Sequence, residues 1–274
     1  MTDRPPEPFF PSHLFLVGCG NMAGQMLARW LACGLDAARV TVLRPSGRAV
    51  ADGVRVVTAP PAALPAGTLV MLGMKPQQLD TVAADLAPLC GGDVAILSIL
   101  AGTPLADLRH RFPDAAALVR GMPNLPVGIG RGVTALHADD AAPAATRDMV
   151  DALAATLGLV EWIADEAMFN AVTALSGCGP AFLFRFADAL ARAGETIGLP
   201  ADQSARMAAA TVEGAAVMVR QASDSPAMLA DRVASPGGMT REGLNILDQD
   251  DRLLNLLIDT LVAARDRGEA MAPR

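Results

Sequence analysis

The sequence predicts an N-terminal α/β domain built on a doubly wound, mostly parallel sheet, followed by an all-α C-terminal domain. Short apolar runs alternate with helical patterns in the first half, a glycine-rich turn joins the first run to the first helix, and strand-like runs become rare after Ala141. Strands that alternate with helices indicate a parallel sheet. At roughly 150 residues per domain, the 274 residues accommodate two domains, and we place them at 1–164 and 165–274.

The elements of the first domain are predicted in order from its apolar runs. After a proline-rich arm, His13–Gly20 is predicted as a buried strand, and a helix follows over roughly Asn21–Gly34 because its apolar residues recur at helical spacing. Further strands are predicted at Val40–Leu43, Val54–Val57, Leu69–Gly73, Val94–Ile99 and Ala116–Val119. Helices are predicted between them at Gln77–Leu89 and Thr103–Phe112.

The second half is predicted as a series of helices, with one strand-like run at Val160–Ile163. Glycine, proline and serine place the breaks between helices at Gly158, Gly177–Pro180, Gly198–Pro200, Ser223–Pro226 and Ser235–Gly238. Two predicted helices, Ala205–Gln221 and Leu253–Arg267, carry apolar stripes too wide for a lone surface helix. Such helices suit packing between protomers.

Composition excludes several classes of protein. Hydrophobic residues make up 52% and charged residues 19% of the chain, which excludes general disorder and indicates that some apolar surface lies in a subunit contact. The net charge of −7 argues against nucleic acid as a partner, because gripping a polyphosphate backbone needs a basic face. We therefore expect an oligomer that does not bind nucleic acid.

The sequence predicts neither a membrane segment nor a metal site. No run approaches the roughly 18 uninterrupted apolar residues that cross a bilayer, and the opening MTDRPPEPFFPS lacks the basic and apolar regions of a signal peptide. A cytoplasmic location is therefore expected. The four cysteines form no C-x-x-C pair and only three histidines stand beside them, so neither a disulfide framework nor a metal centre is predicted.

The first candidate site is the run Gly18-Cys19-Gly20-Asn21-Met22-Ala23, a G-x-G-x-x-A pattern that ends a predicted strand and opens a helix. In a Rossmann-type dinucleotide-binding unit, the first glycine allows the tight turn and the second lets the backbone approach a pyrophosphate. The third small residue allows close packing of helix and strand, and the helix N-terminus faces the anion. The ordinary alternative is a glycine-rich turn without a ligand.

The end of the second predicted strand indicates which nucleotide is bound. An acidic residue there would bind the ribose 2′-hydroxyl of NAD, whereas a cation would accept the 2′-phosphate of NADP. Here the strand runs into Arg44, Ser46 and Arg48 with no acid. NADPH is therefore expected, with NADH possible; the alternative is that Arg44 is a solvated loop residue.

Two more segments follow the ends of predicted strands. They are Met74-Lys75-Pro76, after Leu69–Gly73, and Ser98-Ile99-Leu100-Ala101-Gly102. Ligands of doubly wound sheets bind at the carboxyl ends of the strands, so these backbones are placed to flank the ribose and nicotinamide. Either segment taken alone is also compatible with an ordinary turn and a solvated Lys75.

Three later segments complete the candidate site. They are Met122–Pro126, Ala174–Phe182 and Ala234–Thr240. Glycine-rich turns that lead into helices at Pro180 and Met239 would expose backbone N–H groups suited to a carboxylate. The alternative is that Ser176, Ser235 and Thr240 only cap helix ends, as such residues commonly do.

Taken in order, the segments GCGNMA, MKPQ, SILAG, MPN, LSGCGPA and VASPGGMT resemble the signature run of pyrroline-5-carboxylate reductases, over residues 14 to about 262. The resemblance implies a Rossmann domain, an all-α dimerisation domain that interleaves with that of a second copy, and an active site completed across the homodimer. It also implies assembly into decamers in some members. The implied reaction is the NADPH-dependent reduction of 1-pyrroline-5-carboxylate to L-proline, the last step of proline biosynthesis.

The resemblance assigns site residues by position. The implied cofactor contacts, together with Arg44 and Ser46 from the strand-end argument, are Val17, Gly18, Cys19, Gly20, Asn21, Met22, Gly73, Met74, Lys75, Pro76, Ile99, Leu100 and Ala101. The implied substrate-binding residues are Asn124, Ser176, Ser235, Gly237, Gly238, Met239 and Thr240.

The roles within that set follow from the chemistry of a cyclic imine. An iminium carbon already accepts a hydride, so position matters more than a strong acid–base pair. We assign the substrate carboxylate to the backbone amides of Gly238–Thr240. Thr240 is the candidate catalytic residue, hydrogen-bonded through its hydroxyl to the ring nitrogen.

The sequence departs from the family pattern at five positions near the implied site, which are Leu125, Cys178, Phe182, Ala230 and Met239. Leu125 and Met239 add bulk that could reshape the pocket. Three alternatives follow: a reductase of a different cyclic imine, a regulatory paralogue that binds NADPH without turnover, and an enzyme with Cys178 as nucleophile at a helix start. A hydroxyacid-type reductase would need a lysine near Asn170, and none is present.

Overall fold

An eight-stranded sheet forms the centre of the first part of the chain in the computed structural model, which describes residues 10–270. Most of the predicted proline-rich arm therefore lies outside the described residues, as do both ends of the predicted domains. The strands lie in the order β3-β2-β1-β4-β5-β6-β7-β8. Their bounds are β1 His13–Val17, β2 Val40–Leu43, β3 Arg55–Val57, β4 Thr68–Leu72, β5 Ala95–Ser98, β6 Ala117–Pro123, β7 Gly132–Ala138 and β8 Gly158–Trp162.

The first six strands are parallel and follow the doubly wound order, which confirms the predicted fold class. The strand order reverses between β1 and β4, whose last residues Val17 and Leu72 are partners in the sheet register. Ligands of such sheets bind where the order reverses, outside the carboxyl ends of the strands. The topology therefore places the glycine turn after β1 at the expected ligand position.

Helices cover both faces of this sheet: α1 (Asn21–Ala32), α2 (Leu79–Leu86), α3 (Leu105–Arg111), α4 (Ala144–Ala155) and the short α5 (Phe169–Val172). One core cluster contains residues of α1 and α4, and a second contains residues of α2 and α3. In the first cluster, fully buried Trp30 donates its indole N–H to Leu153 O at 3.0 Å. Truncating Trp30 to Ala would cost about 3–5 kcal/mol.

Helix α1 shows why this sequence forms a helix here. Ala23, Met26, Leu27 and Trp30 are buried at helical spacing on one face. The helix ends at Ala32 and is followed by Gly34, which has φ of +102°, while Leu35 N donates to Trp30 O at 3.0 Å. The left-handed glycine turns the chain so that the Leu35 N–H bonds a carbonyl that the last helical turn leaves free.

Strand β7 (Gly132–Ala138) was not predicted; it lies between the last predicted strand of the first domain and the helices expected from Ala141 onward. It pairs with β6 in antiparallel register and with β8 in parallel register. Its residues are almost all buried, so it lacks the regular polar alternation that marks a half-exposed strand. Strand β6 also extends to Pro123, four residues beyond the predicted end at Val119.

The remaining residues form a helical unit. Contacts divide the chain into one compact unit of the residues up to Gly177 with those from Arg265, and a second unit of Cys178–Ala264. The second unit contains α6 (Gly179–Thr196), α7 (Ala201–Gln221), α8 (Pro226–Arg232), α9 (Met239–Asp248) and most of α10 (Arg252–Ala270). The predicted domain boundary between 164 and 165 stays a prediction.

The helices of the second unit expose large apolar side chains. Phe184, Leu183 and Ile258 are 63%, 57% and 47% exposed. By length and composition, the helical stretch Glu166–Thr196 could span a bilayer, with 11% of its apolar window buried. This is a weak indication, because helices that pack inside soluble proteins pass the same test.

Candidate functional site

The turn after β1 is built around Gly18. Its φ is +79°, a conformation that side chains rarely adopt. A Cβ at this position would lie 2.9 Å from Met74 Cα, which follows β4. The glycine therefore lets two predicted cofactor segments, Gly18–Met22 and Gly73–Pro76, pack directly against each other.

The small residues at Gly73 and Ala23 bring α1 close to β4. A Cβ on Gly73 would lie 2.9 Å from Ala23 Cβ and 3.4 Å from Gly18 O. This explains the small last residue of the G-x-G-x-x-A run, since a larger side chain at Ala23 would push α1 off the strand.

The N-terminus of α1 is open to an anion. Gly20 is its N-cap and makes no side-chain cap hydrogen bond, and the first turn contains no acidic residue. A Cβ on Gly20 would meet no atom within 4 Å. The first N–H groups of a helix have no partner inside it, so this turn offers unpaired donors beside space that a side chain would fill.

The ends of β1, β4 and β5 are joined by backbone hydrogen bonds that continue the sheet beyond the strands. Gly73 N donates to Val17 O at 2.9 Å, and Ile99 N donates to Leu72 O at 3.1 Å. Leu100 N then donates to Ser98 Oγ at 3.3 Å. The structure thus brings the predicted segments at residues 17–22, 73–76 and 99–101 to one edge.

Arg44 lies on the same edge, at the end of β2. Its N–H donates to Val57 O at 2.9 Å, and its guanidinium contacts Arg48 O at 3.4 Å. Burial raises the pKa of the Cys19 thiol, and the positive charge of Arg44 opposes that shift. The guanidinium therefore lies within electrostatic reach of the glycine turn, and Ser46 follows on the same exposed loop.

Lys75 is the single lysine of the chain, beside 21 arginines. Its backbone is held by the turn that follows, because Lys75 N donates to Gln78 Oε1 at 3.2 Å and Gln78 N donates to Lys75 O at 2.9 Å. The Lys75 side chain is exposed. A well-placed backbone thus presents an ammonium next to the Gly18–Met74 contact.

Asn124 has a structural role that the sequence did not reveal. Its side chain is buried; Nδ2 donates to Ser176 O at 2.9 Å, and Oδ1 accepts the N–H of Val133 at 2.8 Å. The carboxamide thereby ties the end of β6 to β7 and to the segment around Ser176. Direct contact of Asn124 with a substrate stays a prediction.

The expected break at Gly177–Pro180 lies where one helix ends and the next begins, but no open glycine-rich turn separates them. Thr173–Gly177 forms a π-helix, and α6 begins at Gly179 with Cys178 between them. The N–H groups of Ala181 and Phe182 donate to Cys178 O at 3.0 and 3.4 Å. These donors are engaged within the helix, so they are not free for a carboxylate as the sequence suggested.

Side-chain hydroxyls support this π-helix. Thr173 Oγ1 donates to Phe169 O at 2.7 Å, and Ser176 Oγ donates to Val172 O at 2.9 Å. Such bonds to the carbonyl four residues earlier bend helices, and π-helical turns recur at functional sites. Ser176 is therefore not a helix cap, and its assignment to substrate stays a prediction.

The segment Ala234–Thr240 forms a turn that leads into α9, as predicted. Gly238 N donates to Ser235 O at 2.9 Å, and Gly237 has φ of +69°. A Cβ on Gly238 would lie 2.5 Å from Ser235 Oγ. Glycines are required at this turn because both the left-handed backbone and the close hydroxyl exclude a side chain.

No side chain caps the start of α9. Its N-cap is Gly238, and it makes no side-chain cap hydrogen bond. The alternative in which Ser235 or Thr240 serves as the cap is therefore wrong. Met239 is 94% exposed and Thr240 is also exposed. The first N–H groups of α9 and the Thr240 hydroxyl thus face solvent together within this unit.

Comparisons with known proteins agree with the two regions described. The family model named pyrroline-5-carboxylate reductase dimerisation matches residues 166–271. Among curated relatives, the pyrroline-5-carboxylate reductase of Pseudomonas aeruginosa is 34% identical over 93% of this chain and 95% of its own length. That of Pisum sativum is 31% identical over 94% of this chain and 96% of its own length.

Solved structures show the same architecture. A pyrroline-5-carboxylate reductase from Coxiella burnetii superimposes with a TM-score of 0.86 at 26% identity, covering 96% of this chain and 99% of that chain. Plasmodium falciparum pyrroline carboxylate reductase with NADP bound gives a TM-score of 0.79 at 21% identity, covering 95% and 98%. At this lower identity, the likeness to the Plasmodium falciparum structure supports the fold alone.

Proposed function

Because the chain belongs to the pyrroline-5-carboxylate reductase family, we propose that it reduces 1-pyrroline-5-carboxylate to L-proline with NADPH as hydride donor. The observation that carries the proposal is the open edge at the ends of β1, β4 and β5. There, an uncapped helix start, a glycine that leaves room for a ligand and the single lysine come together.

The residues of this edge fit a dinucleotide. The N–H groups at the start of α1 would hold the pyrophosphate, since helix N-termini bind phosphate groups. Arg44, with Ser46 beside it, would bind the 2′-phosphate, and Arg suits this role because its planar fork donates two hydrogen bonds at once. The segments at 73–76 and 99–101 would flank the ribose and nicotinamide. When bound, the dihydronicotinamide supplies the hydride.

The start of α9 is the proposed substrate site. The N–H groups of Gly238–Thr240 would bind the carboxylate of the substrate, and this contact would fix the orientation of the ring. The Thr240 hydroxyl would hydrogen-bond the ring nitrogen, which carries the proton of the iminium form. As the imine carbon gains the hydride, the electron pair of the C=N bond returns to that nitrogen, and proline is formed.

We propose that the substrate site is completed by a partner chain, in a homodimer with interleaved helical domains. The exposed apolar side chains of α6, α7 and α10 support this, because monomers rarely expose so much apolar surface. Further assembly into a decamer and a cytoplasmic location are part of the same proposal. Neither nucleic acid nor a membrane is proposed as a partner.

The test is NADPH oxidation followed at its absorbance with racemic 1-pyrroline-5-carboxylate, with proline identified as the product. Turnover with release of proline supports the reductase. NADPH binding without turnover on this substrate or on other cyclic imines would indicate a regulatory paralogue. Faster turnover on a different cyclic imine would show that Leu125 and Met239 have changed the substrate.

A further inference from the structure

A partly buried ion pair lies beside the proposed nicotinamide loop, and the proposed reaction does not use it. Arg120 Nη1, on β6, donates to Glu166 Oε1 at 2.9 Å, with 7% and 24% of the two side chains exposed. The same carboxylate oxygen accepts the backbone N–H of Leu105 at 2.9 Å. One oxygen of Glu166 therefore joins two segments that lie far from it in the sequence.

Glu166 supplies the cap that α3 lacks. The N-cap residue of α3 is Pro104, which has no side-chain acceptor, and the first N–H groups of a helix need an outside partner. The other end of the preceding loop is held at the sheet, where Ile99 N donates to Leu72 O. The loop at 99–105 is thus anchored at its start by β4 and at its end by Glu166.

Arg120 and its neighbours make this arrangement rigid. The Arg120 guanidinium carbon lies 4.3 Å from the ring centroid of buried Phe169 on α5. Nε of Arg120 is buried without a hydrogen-bond partner among residues 10–270. A buried guanidinium with a single carboxylate partner depends strongly on that partner.

The chain beyond this cluster leads directly to the substrate-binding half. Glu166 is the first residue of the stretch that matches the dimerisation family model, and α5 continues into the π-helix whose Ser176 O accepts the Asn124 amide. His137, opposite Arg120 in the sheet, packs its ring edge on Phe169 and contacts Ile163 O through Nδ1 at 2.8 Å. Glu166 therefore sits where the cofactor loop meets the beginning of the helical region.

We infer that Glu166 is a positioning residue for hydride transfer. It acts through the loop at 99–105: its carboxylate holds the backbone that flanks the nicotinamide, without contact to either ligand. The inference rests on the proposed function. Because the cofactor phosphates are proposed to bind elsewhere, at α1 and Arg44, loss of Glu166 should lower kcat far more than it weakens NADPH binding.

Three variants test this role. Glu166→Ala removes both hydrogen bonds, whereas Glu166→Gln keeps an oxygen that can accept the Leu105 N–H and the Arg120 guanidinium. Asp139→Asn is the matched control, because Asp139 pairs with Arg109 at the other end of α3. A misplacement of about 1 Å can cost about 100-fold in rate, so we expect Glu166→Ala to lower kcat about 10- to 100-fold and to leave the NADPH Kd within about threefold.

The control variants should separate positioning from stability. Glu166→Gln and Asp139→Asn should keep kcat within about threefold even where Tm falls, because the loop keeps its anchor in both. Hydrogen exchange at residues 99–105 should quicken in Glu166→Ala alone. Unchanged kcat in Glu166→Ala, or an equal loss in Asp139→Asn at equal loss of Tm, would overturn the inference.

Hydrogen exchange at residues 99–105 also separates this inference from the proposed function. A wild-type protein without turnover on 1-pyrroline-5-carboxylate contradicts the proposed function. The exchange measurement still reports whether Glu166 holds the loop, and slow exchange retained in Glu166→Ala would overturn the positioning role in an active or an inactive protein.

Discussion

The turn after β1 and the start of α9 are both uncapped helix ends, yet they are built very differently. Gly18 packs on Met74, Gly73 packs on Ala23, and hydrogen bonds between strand ends hold the first site in place. At the second site, Met239 is 94% exposed and Thr240 is exposed as well. The proposed cofactor edge is held together by contacts within one chain, whereas the proposed substrate end offers donors that its own unit leaves uncovered.

This contrast explains how one reaction can be divided between the two regions. The proposed anion site at α1 is already held in place, so we expect the cofactor to bind with little rearrangement. We expect the donors at α9 to form a pocket only when another surface covers them. We therefore expect affinity for the nucleotide to depend on the first region alone, and turnover to depend on both regions.

We expect the largest effect from a substitution that impairs only NADPH binding. Gly20→Ala places a methyl group in the space that Gly20 leaves open, so the NADPH Kd should rise about 100-fold by blocking approach to the pyrophosphate. Because that methyl group meets no protein atom, Tm should not change. Equilibrium titration of NADPH fluorescence and a thermal melt measure the two quantities.

A companion variant makes the first result specific. Gly18 has a left-handed backbone, and a Cβ at this position would lie 2.9 Å from Met74 Cα. Gly18→Ala should therefore also lower the free energy of unfolding by about 1–2 kcal/mol or more. Equal NADPH affinity in wild type and Gly20→Ala would show that the phosphates do not bind at this turn.

A somewhat smaller effect is expected from a substitution that impairs only the use of the imine substrate. Thr240→Ala removes a hydroxyl expected to bond the ring nitrogen, and a hydrogen bond to a charged group is worth about 1.5–3 kcal/mol. Steady-state kinetics should show kcat/KM for the imine about 10- to 100-fold lower, with an unchanged NADPH Kd. Thr240→Ser, which keeps the hydroxyl, should retain most of the rate. A full rate in Thr240→Ala would remove this residue from the mechanism.

A smaller effect is expected on the preference for NADPH over NADH. Arg44→Ala should lower kcat/KM with NADPH about tenfold and leave the value with NADH unchanged, because only the 2′-phosphate is lost as a partner. The matched control is Arg55→Ala, which removes a cation at the opposite, amino-terminal end of β3. Parallel kinetics with both nucleotides decide the matter, and an equal loss with NADH would mean that Arg44 does not read the phosphate.

The smallest expected effect concerns stability at high pH. Burial raises the pKa of the Cys90 thiol from 9.0 to about 11, so the folded state keeps its proton while the unfolded state loses it. The free energy of unfolding should therefore decrease as pH rises from about 9 to 11. Denaturant titrations at several pH values should show a smaller decrease in Cys90→Ala; an identical decrease would mean that Cys90 does not contribute.

Local chemistry made much of the first region predictable. The G-x-G-x-x-A run contains its own reasons for being a turn, since the backbone at Gly18 and the packing at Ala23 both demand those residues. Strands β1 to β6 were recognisable because buried parallel strands read as short apolar runs. The order of those strands then placed the segments after Leu72 and Ser98 on the same edge.

Features set by distant contacts could not be predicted in the same way. Strand β7 depends on pairing with β6 rather than on its own sequence pattern. The π-helix at Thr173–Gly177 depends on hydrogen bonds from side-chain hydroxyls, whereas the glycine-rich sequence there had suggested a turn. The roles of Asn124 and Glu166 lie in partners 52 and 61 residues away. No local pattern carries such information, although the partly buried Glu166 carboxylate at the start of α3 is a signal once the fold is known.

Complementation between two impaired variants, assayed at NADPH and imine concentrations too low for either variant alone, tests the division of the site most directly. Chains carrying Gly20→Ala and chains carrying Thr240→Ala are dissociated together, reassembled at random and assayed. If each site takes its cofactor edge from one chain and its α9 start from the other, half of the dimers are mixed and hold one intact site of two, so about a quarter of wild-type activity should return. Activity that stays at the level of the separate variants would contradict the account, because both halves of the site would then belong to the same chain.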